Sequence, residues 1–250
     1  MTIRTSLLVL CTAALLSGCQ NLNTGTLMQS GAQAFQAATL SDEQVKTLSN
    51  QSCEQMDKEA QIAPADNKYA QRLKKIADAL GHDINGTPAN YKVYLTKDVN
   101  AWAMANGCIR VYSGLMDMMT DNEVEGVLGH EMGHVALGHT RKAMQVAYAT
   151  TAARTAIAST GGVAATLSQS QLADLGEKLV NAQFSQTQER EADDYSFDLL
   201  KKRGLKLEGL ATSFEKLAKL DEGRQSSMFD SHPASDERAK HIRERIASGK

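Results

Sequence analysis

The segment His130-Glu131-Met132-Gly133-His134 sets two imidazoles four residues apart with a carboxylate beside the first. On an α-helix, residues four apart are displaced by only about 40° around the axis, so both rings can meet one tetrahedral zinc ion from a single rigid wall. Glu131 is turned by about 100° from His130, which directs its carboxylate toward a water at the metal rather than toward the metal itself. The chemistry such a group can do is metal-assisted hydrolysis, with Glu131 as the proton carrier. The residues around it supply the helix. Thr120-Asp121-Asn122-Glu123 has the form of a capping box, and Val124, Val127, Leu128 and Val135 make an apolar stripe, which predicts a helix over residues 121 to about 138.

A zinc site of this kind needs a third protein ligand. The metzincin pattern would place Gly three and His six residues beyond the second His, but those positions hold Leu137 and Thr140, while Gly138 and His139 each fall one place off. The remaining solution is a carboxylate from a second helix. Gln188-Glu189-Arg190-Glu191-Ala192-Asp193 lies in a later helical stretch and sets Glu189 and Asp193 one turn apart. One of the two can bind the metal while the other accepts the second N–H of a ligating His and fixes its tautomer. His139 reads as a helix-end histidine, with support of the site as the alternative, and His82 and His241 read as surface residues. Met116, Met118 and Met119 read as core packing, with the lining of a cleft as the alternative.

Together these residues resemble the HtpX-like and CAAX-prenyl-protease-like metallopeptidases, whose signature joins H-E-x-x-H to a downstream E-x-x-A-D. The resemblance runs roughly from Cys53 to Arg245. It implies that Glu189, matched through Ala192 and Asp193, is the third ligand, so that His130, His134 and Glu189 hold one Zn²⁺ per chain, Glu131 is the general base and Asp193 supports from behind. Asn100-Ala101-Trp102-Ala103-Met104, followed by Gly107-Cys108-Ile109 and Ser113-Gly114-Leu115, is similar to the family segment that forms an edge strand beside the catalytic helix, where an extended substrate adds as a further strand. Ser231-His232-Pro233 with Arg238 resembles the late H-P…R motif that returns to the active site. That likeness implies that His232 either stabilises the oxyanion or takes the open metal position and holds the enzyme latent, with Arg238 nearby. One departure is plain: Ser185-Gln186 stands where the family often has S-R, which puts that arginine's contacts in doubt here but not the metal ligands.

The start of the chain reads as an address. Arg4, an apolar run over residues 7–16 that is too short for a bilayer, and Leu16-Ser17-Gly18-Cys19 follow signal order over residues 1–18, and the ending resembles the bacterial lipobox. By that resemblance Cys19 carries lipid, and Gln20 in place of Asp directs the protein to the outer membrane, facing the periplasm. Residues 19–39 read as a tether. Cys11 leaves with the signal, so Cys53 and Cys108 remain in an oxidising compartment, where one disulfide between them is the expectation and two separate buried thiols the alternative. Residues 155–173 carry no charge, but ten of the nineteen are Ser, Thr, Gln or Gly, too polar for a membrane span. They read as a lid or a partner-facing segment.

The rest of the chain must position this chemistry. Ser41 with Gln44 predicts a capped helix to about residue 60, and a second helix after Pro64 carries Tyr69, Leu73, Ile76, Ala77 and Leu80 on one stripe and closes at Gly81. Residues 91–95 and 107–112 read as strands, the second alternating Cys108, Arg110 and Tyr112 against Ile109 and Val111. From Thr120 onward the pattern is helical, with breaks near Gly161-Gly162, Gly204, Gly223 and Pro233. The fold class is therefore α+β: a mainly helical, zincin-like metalloprotease domain over residues 40–250 with a small sheet beside the catalytic helix. A formal net charge of −2 without a clustered basic face excludes nucleic acid as a partner. The expected function is that of a periplasm-facing, membrane-anchored zinc endopeptidase that hydrolyses unfolded or misassembled envelope proteins, with a periplasmic protease or chaperone as a further partner. The alternative is a chaperone or assembly factor for outer-membrane proteins with latent proteolysis.

Overall fold

Ser41 opens the first helix, Asp42–Glu59 (α1), with the capping box its spacing to Gln44 predicts: the Ser41 hydroxyl accepts from the Gln44 N–H while the Gln44 side chain accepts from the Ser41 N–H. Lys68–Leu80 (α2) is capped by Asn67 and stops at Gly81, with Leu73, Ile76, Ala77 and Leu80 buried on the expected stripe. Asp83–Ile84 (β1) and Thr87–Pro88 (β2) form a minimal antiparallel pair. Asn90–Tyr94 (β3), Ala101–Ala103 (β4) and Cys108–Tyr112 (β5) form a three-stranded sheet in the order β3-β5-β4, in which β5 is parallel to β3 and antiparallel to β4. Helices follow: Ser113–Met118 (α3), Asp121–Ala136 (α4), His139–Thr155 (α5), Gln169–Val180 (α6), Gln186–Arg203 (α7), Glu208–Asp221 (α8) and Asp236–Ser248 (α9).

This computed structural model describes residues 40–155, 167–221, 228, 231–232 and 236–249. The signal, Cys19, the tether, the central part of 155–173, and the expected breaks at Gly161-Gly162, Gly223 and Pro233 lie outside the described residues. Among the described residues no helix is long and apolar enough to cross a membrane.

Strand β5 is covered on both faces, as a central strand should be. Ile109 and Val111 enter one core with α2, α4, α7, α8 and α9, while Cys108 and Tyr112 join a second core with α1, α5 and α6. The polar alternate Arg110 is only 2% exposed, and it is matched by a two-point contact to Asp57 of α1, Nε to Oδ1 at 2.8 Å and Nη2 to Oδ2 at 2.9 Å. Burial opposes the Asp57 charge, but hydrogen bonds from Arg110 and Lys92 outweigh it and hold the carboxyl below its ordinary range. Beside this pair Cys53 and Cys108 are bonded to each other, their Cα atoms 6.7 Å apart, so that α1 is tied to β5 by a covalent link as well as a charge pair. Met116 and Met119 are buried and Met118 packs against the same core, so these methionines pack the interior instead of lining a cleft.

Helix α4 is more deeply set than its apolar stripe suggests: Glu123 and Val124 and then every residue from Gly126 to His134 are buried. It ends two residues earlier than the sequence pattern indicates, at Ala136, because Gly138 adopts φ 75° and turns the chain into α5. The closest neighbour is α7. A Cβ on Gly129 would lie 2.6 Å from Ser196 Oγ, and one on Gly133 would lie 3.0 Å from both Cα and O of Ala192, so the two glycines set the distance between these helices. Gly133→Val should therefore push α7 away from α4. The expected cost is about 1–3 kcal/mol of stability, together with loss of bound zinc, checked by denaturant unfolding and metal content per chain; an unchanged midpoint with full zinc would contradict this packing.

Candidate metal centre

The close approach of α4 and α7 brings a carboxylate onto two imidazoles. His130 and His134, on the buried wall of α4, turn their Nε2 atoms to the same point, 3.0 Å apart. Glu189 stands in the first turn of α7, where Ser185 caps the helix through a box with Gln188. Its Oε1 lies 3.4 Å from His134 Nε2, and its Oε2 lies 3.6 Å from His130 Nε2. His232 arrives from the far end of the chain and adds a fourth atom, Nδ1, which is 3.0 Å from Glu189 Oε1 and 3.3 Å from His130 Nε2. All four residues are buried, and their candidate ligand atoms lie within 4.8 Å of one another.

The fit of a metal ion to this cluster can be tested on its geometry and its charge. Four ligands at ordinary Zn–N and Zn–O distances form a tetrahedron with edges of about 3.3 Å. Four of the six separations among the two Nε2 atoms, Glu189 Oε1 and His232 Nδ1, at 3.0, 3.4, 3.3 and 3.0 Å, lie close to that figure. Glu189 and Asp193 are held in their charged form beside the guanidinium of Arg238, with the Glu131 carboxyl buried nearby, so the cluster offers a divalent cation carboxylate charge as well as imidazole lone pairs. Imidazole and carboxylate donors in this number suit zinc.

The surrounding residues hold the ligands. Asp193, one turn beyond Glu189, accepts from His130 Nδ1 at 2.8 Å, which leaves Nε2 as the free lone pair of that ring. Arg238 of α9 grips Asp193 through Nε to Oδ2 at 2.8 Å and Nη2 to Oδ1 at 2.6 Å, and its Nη1 lies 2.7 Å from Glu189 Oε2. Its guanidinium also covers the Phe214 ring at 4.2 Å. The ring of Phe184, from the loop before α7, stacks on His232 at a centroid distance of 5.3 Å and lies 4.0 Å from His134. Ser185 is the cap of α7 and Gln186 its first residue, so the helix start forms without the arginine that the family often places there.

The electrostatics follow from this arrangement. Burial works against the Glu189 charge, yet hydrogen bonds from His134 and His232 outweigh it and hold the carboxyl far below its usual range. Asp193 is likewise held low against burial, chiefly by Arg238. Burial pushes the Glu131 carboxyl up, even though His232 and His130 pull the other way, and among the described residues its Oε1 makes no hydrogen bond, His232 Nε2 standing 3.6 Å away. Burial drives the His134 ring well below the ordinary imidazole range, which favours the neutral form a metal requires. For His232 burial alone would act the same way, but the Glu131 and Glu189 carboxylates win and raise it.

Three sequence readings need correction or completion. His139 is more than a helix-end residue, for it is buried and its Nδ1 lies 3.1 Å from His134 Nδ1. His241 is half-buried and bonds to Asp194 at 2.7 Å, unlike exposed His82, because α9 lays it against α7. Residues 100–104 do sit at the edge of the sheet, with Ala101–Ala103 forming β4, but the side chains of Asn100, Ala101, Trp102, Ala103 and Met104 are all buried. What this segment can offer a ligand is therefore its main chain. Phe184 carried no signal in the sequence, since a lone aromatic in a loop has no periodicity to read.

The chain is similar to known metalloproteases along most of its length. The model of the family described as Peptidase family M48 matches residues 65–246. The chain is 68% identical to Metalloprotease LoiP of Escherichia coli (strain K12) over 248 residues, covering 99% of this chain and 98% of that protein. It is 63% identical to Metalloprotease YcaL of the same organism over 241 residues, 95% of each chain. At 29% identity over 223 residues it also matches the Beta-barrel assembly-enhancing protease of Yersinia pestis, covering 83% of this chain and 45% of that one. With a cluster that fits one zinc ion and relatives along nearly its whole length, the chain belongs to peptidase family M48 and is a zinc metallopeptidase.

Proposed function

We propose that the chain is a membrane-anchored, periplasm-facing endopeptidase that cleaves unfolded or misassembled envelope proteins, with His130, His134 and Glu189 as zinc ligands and Glu131 as general base. The observation that carries this reading is the state of Glu131: a buried carboxyl beside the ligand cluster, raised by burial, with one oxygen that makes no hydrogen bond among the described residues. Such a group has room in its hydrogen bonding for a water and an affinity for the proton it must take.

A zinc ion bound here supplies Lewis acidity toward the scissile carbonyl and the water that attacks it. Glu131 takes the proton of that water and delivers it to the leaving amine. Asp193 and Arg238 hold His130 and Glu189 while this happens. The main chain of residues 100–104, at the edge of the sheet, is suited to receive an extended substrate as an added strand, which favours unfolded chains over folded ones. An open cavity of about 360 Å³ bordered by His139, Val146 and Phe184 adjoins the cluster and gives a substrate side chain a place to lie.

His232 Nδ1, 3.3 Å from His130 Nε2 and 3.0 Å from Glu189 Oε1, would reach a fourth position at a metal held by these residues. Catalytic zinc sites keep one position open, so this arrangement supports the reading of His232 as a latch that holds the enzyme latent, and it favours latency over oxyanion stabilisation. The envelope setting rests on the lipobox-like Cys19 and on the name of the beta-barrel assembly-enhancing relative.

The test is digestion of an unfolded outer-membrane protein. Glu131→Gln should keep fold and zinc but lose at least about a thousandfold in rate, and a chelator should abolish wild-type cleavage. His232→Ala should cleave faster than wild type. Full activity of Glu131→Gln would sink the mechanism, and slower cleavage by His232→Ala would assign that residue to catalysis in place of latency. For the anchor, Cys19→Ser should move the protein from the outer-membrane fraction to the soluble periplasm on cell fractionation; unchanged sedimentation with the membrane would contradict lipidation at Cys19.

A further inference from the structure

The two ligating histidines are supported in different ways. His130 donates from Nδ1 directly to the Asp193 carboxylate. Among the described residues His134 has no carboxylate at its Nδ1, which faces another imidazole, that of His139, at 3.1 Å between the two Nδ1 atoms. The far nitrogen of that second ring, His139 Nε2, lies 3.2 Å from Glu191 Oε2.

Proton accounting leaves one arrangement of this chain once His134 binds a metal. Its Nε2 must then offer a lone pair to the cluster, so its proton sits on Nδ1. Two N–H groups cannot face each other, so His139 Nδ1 is the acceptor and carries no proton. The proton of neutral His139 is then on Nε2, where it donates to the Glu191 carboxylate. Each group in the series has one partner of the right polarity. We propose that His139, oriented by Glu191, is a positioning residue for His134, fixing its tautomer and ring direction as Asp193 does for His130. The proposal rests on the zinc reading of the cluster.

The local fold is built for this contact. In an unbroken helix His134 and His139 would be about 140° apart around the axis and could not meet. The stop at Ala136 and the turn at Gly138, φ 75°, reverse the chain so that the first residue of α5 lies against the last turn of α4. His139 is only 7% exposed, so water does not substitute freely for its ring. Phe184 covers the His134 ring face at 4.0 Å, which leaves the His134–His139 hydrogen bond to set its rotation in plane. The Glu191 side chain is 53% exposed, so it contributes less than His139.

Zinc affinity of the full chain, measured by competition with a chromophoric chelator, together with the visible spectrum of the cobalt-substituted protein, tests this. His139→Phe keeps a ring but has no acceptor, and should bind zinc about 10–100-fold more weakly with an altered cobalt spectrum. His139→Asn keeps an acceptor near the Nδ1 position and should recover most of that loss. Glu191→Ala should weaken binding less than His139→Phe. Wild-type affinity and spectrum in His139→Phe would overturn the proposal, as would a His139→Asn variant as weak as the Phe variant. If the Phe variant does not fold, as judged by circular dichroism, His139→Ala takes its place under the same criterion. Wild-type protein that binds no zinc would overturn the metal reading and this proposal with it, whereas wild-type binding with an unaffected His139→Phe overturns the proposal alone.

Discussion

The structure turns on a set of ionisable groups packed between two helices. Glu131, Glu189 and Asp193 lie buried in the α4–α7 contact with the half-buried Arg238 as a counter-charge, and the imidazoles of His130, His134 and His232 fill the space between them. Burying ionised groups costs several kcal/mol each unless they are paired and hydrogen-bonded. A zinc ion held by His130, His134 and Glu189 would offset their negative charge and take up the ligand lone pairs. The same feature that makes the interior costly without a metal makes it a tight and selective site with one.

Most of the remaining architecture serves to hold that contact. Gly129 and Gly133 let α7 approach until Glu189 reaches both histidines. The capping boxes at Thr120 and Ser185 fix where α4 and α7 begin, and so fix the phase of the residues they present. Helix α9 returns to contribute Arg238, and His232 joins from the sequence before it, so late residues complete a site that the middle of the chain starts. The disulfide and the Arg110–Asp57 pair act elsewhere, tying α1 to the sheet whose edge borders the second core.

Much of this could be read from the sequence because the chemistry is local there. The two histidines and Glu131 sit within one helical turn and a half, and Glu189 and Asp193 within one turn, so spacing alone places them on common faces. The caps at Ser41, Thr120 and Gly204 are equally local, and each falls where its residues indicate. The parts that could not be read depend on contacts between distant segments. His139 looked like a helix end because its relation to His134 is set by the turn at Gly138 and not by helical period. Phe184 gains its role only when the loop before α7 meets His134 and His232, and the half-buried His241 only when α9 packs on α7. The alternation in β5 identified a strand, but the burial of Arg110 required knowing that α1 covers the polar face.

The claim at the centre of this account is that the α4–α7 cluster is a preorganised zinc site. X-ray absorption at the zinc edge, on protein loaded with a single equivalent and checked by metal analysis, tests it most directly. The account predicts one zinc per chain surrounded only by nitrogen and oxygen, with imidazole scattering from His130 and His134, at about 2.0–2.2 Å, and loss of part of the imidazole signal in a His134→Ala variant. Sulfur in the first coordination shell, or a spectrum that does not change when His134 is replaced, would contradict it.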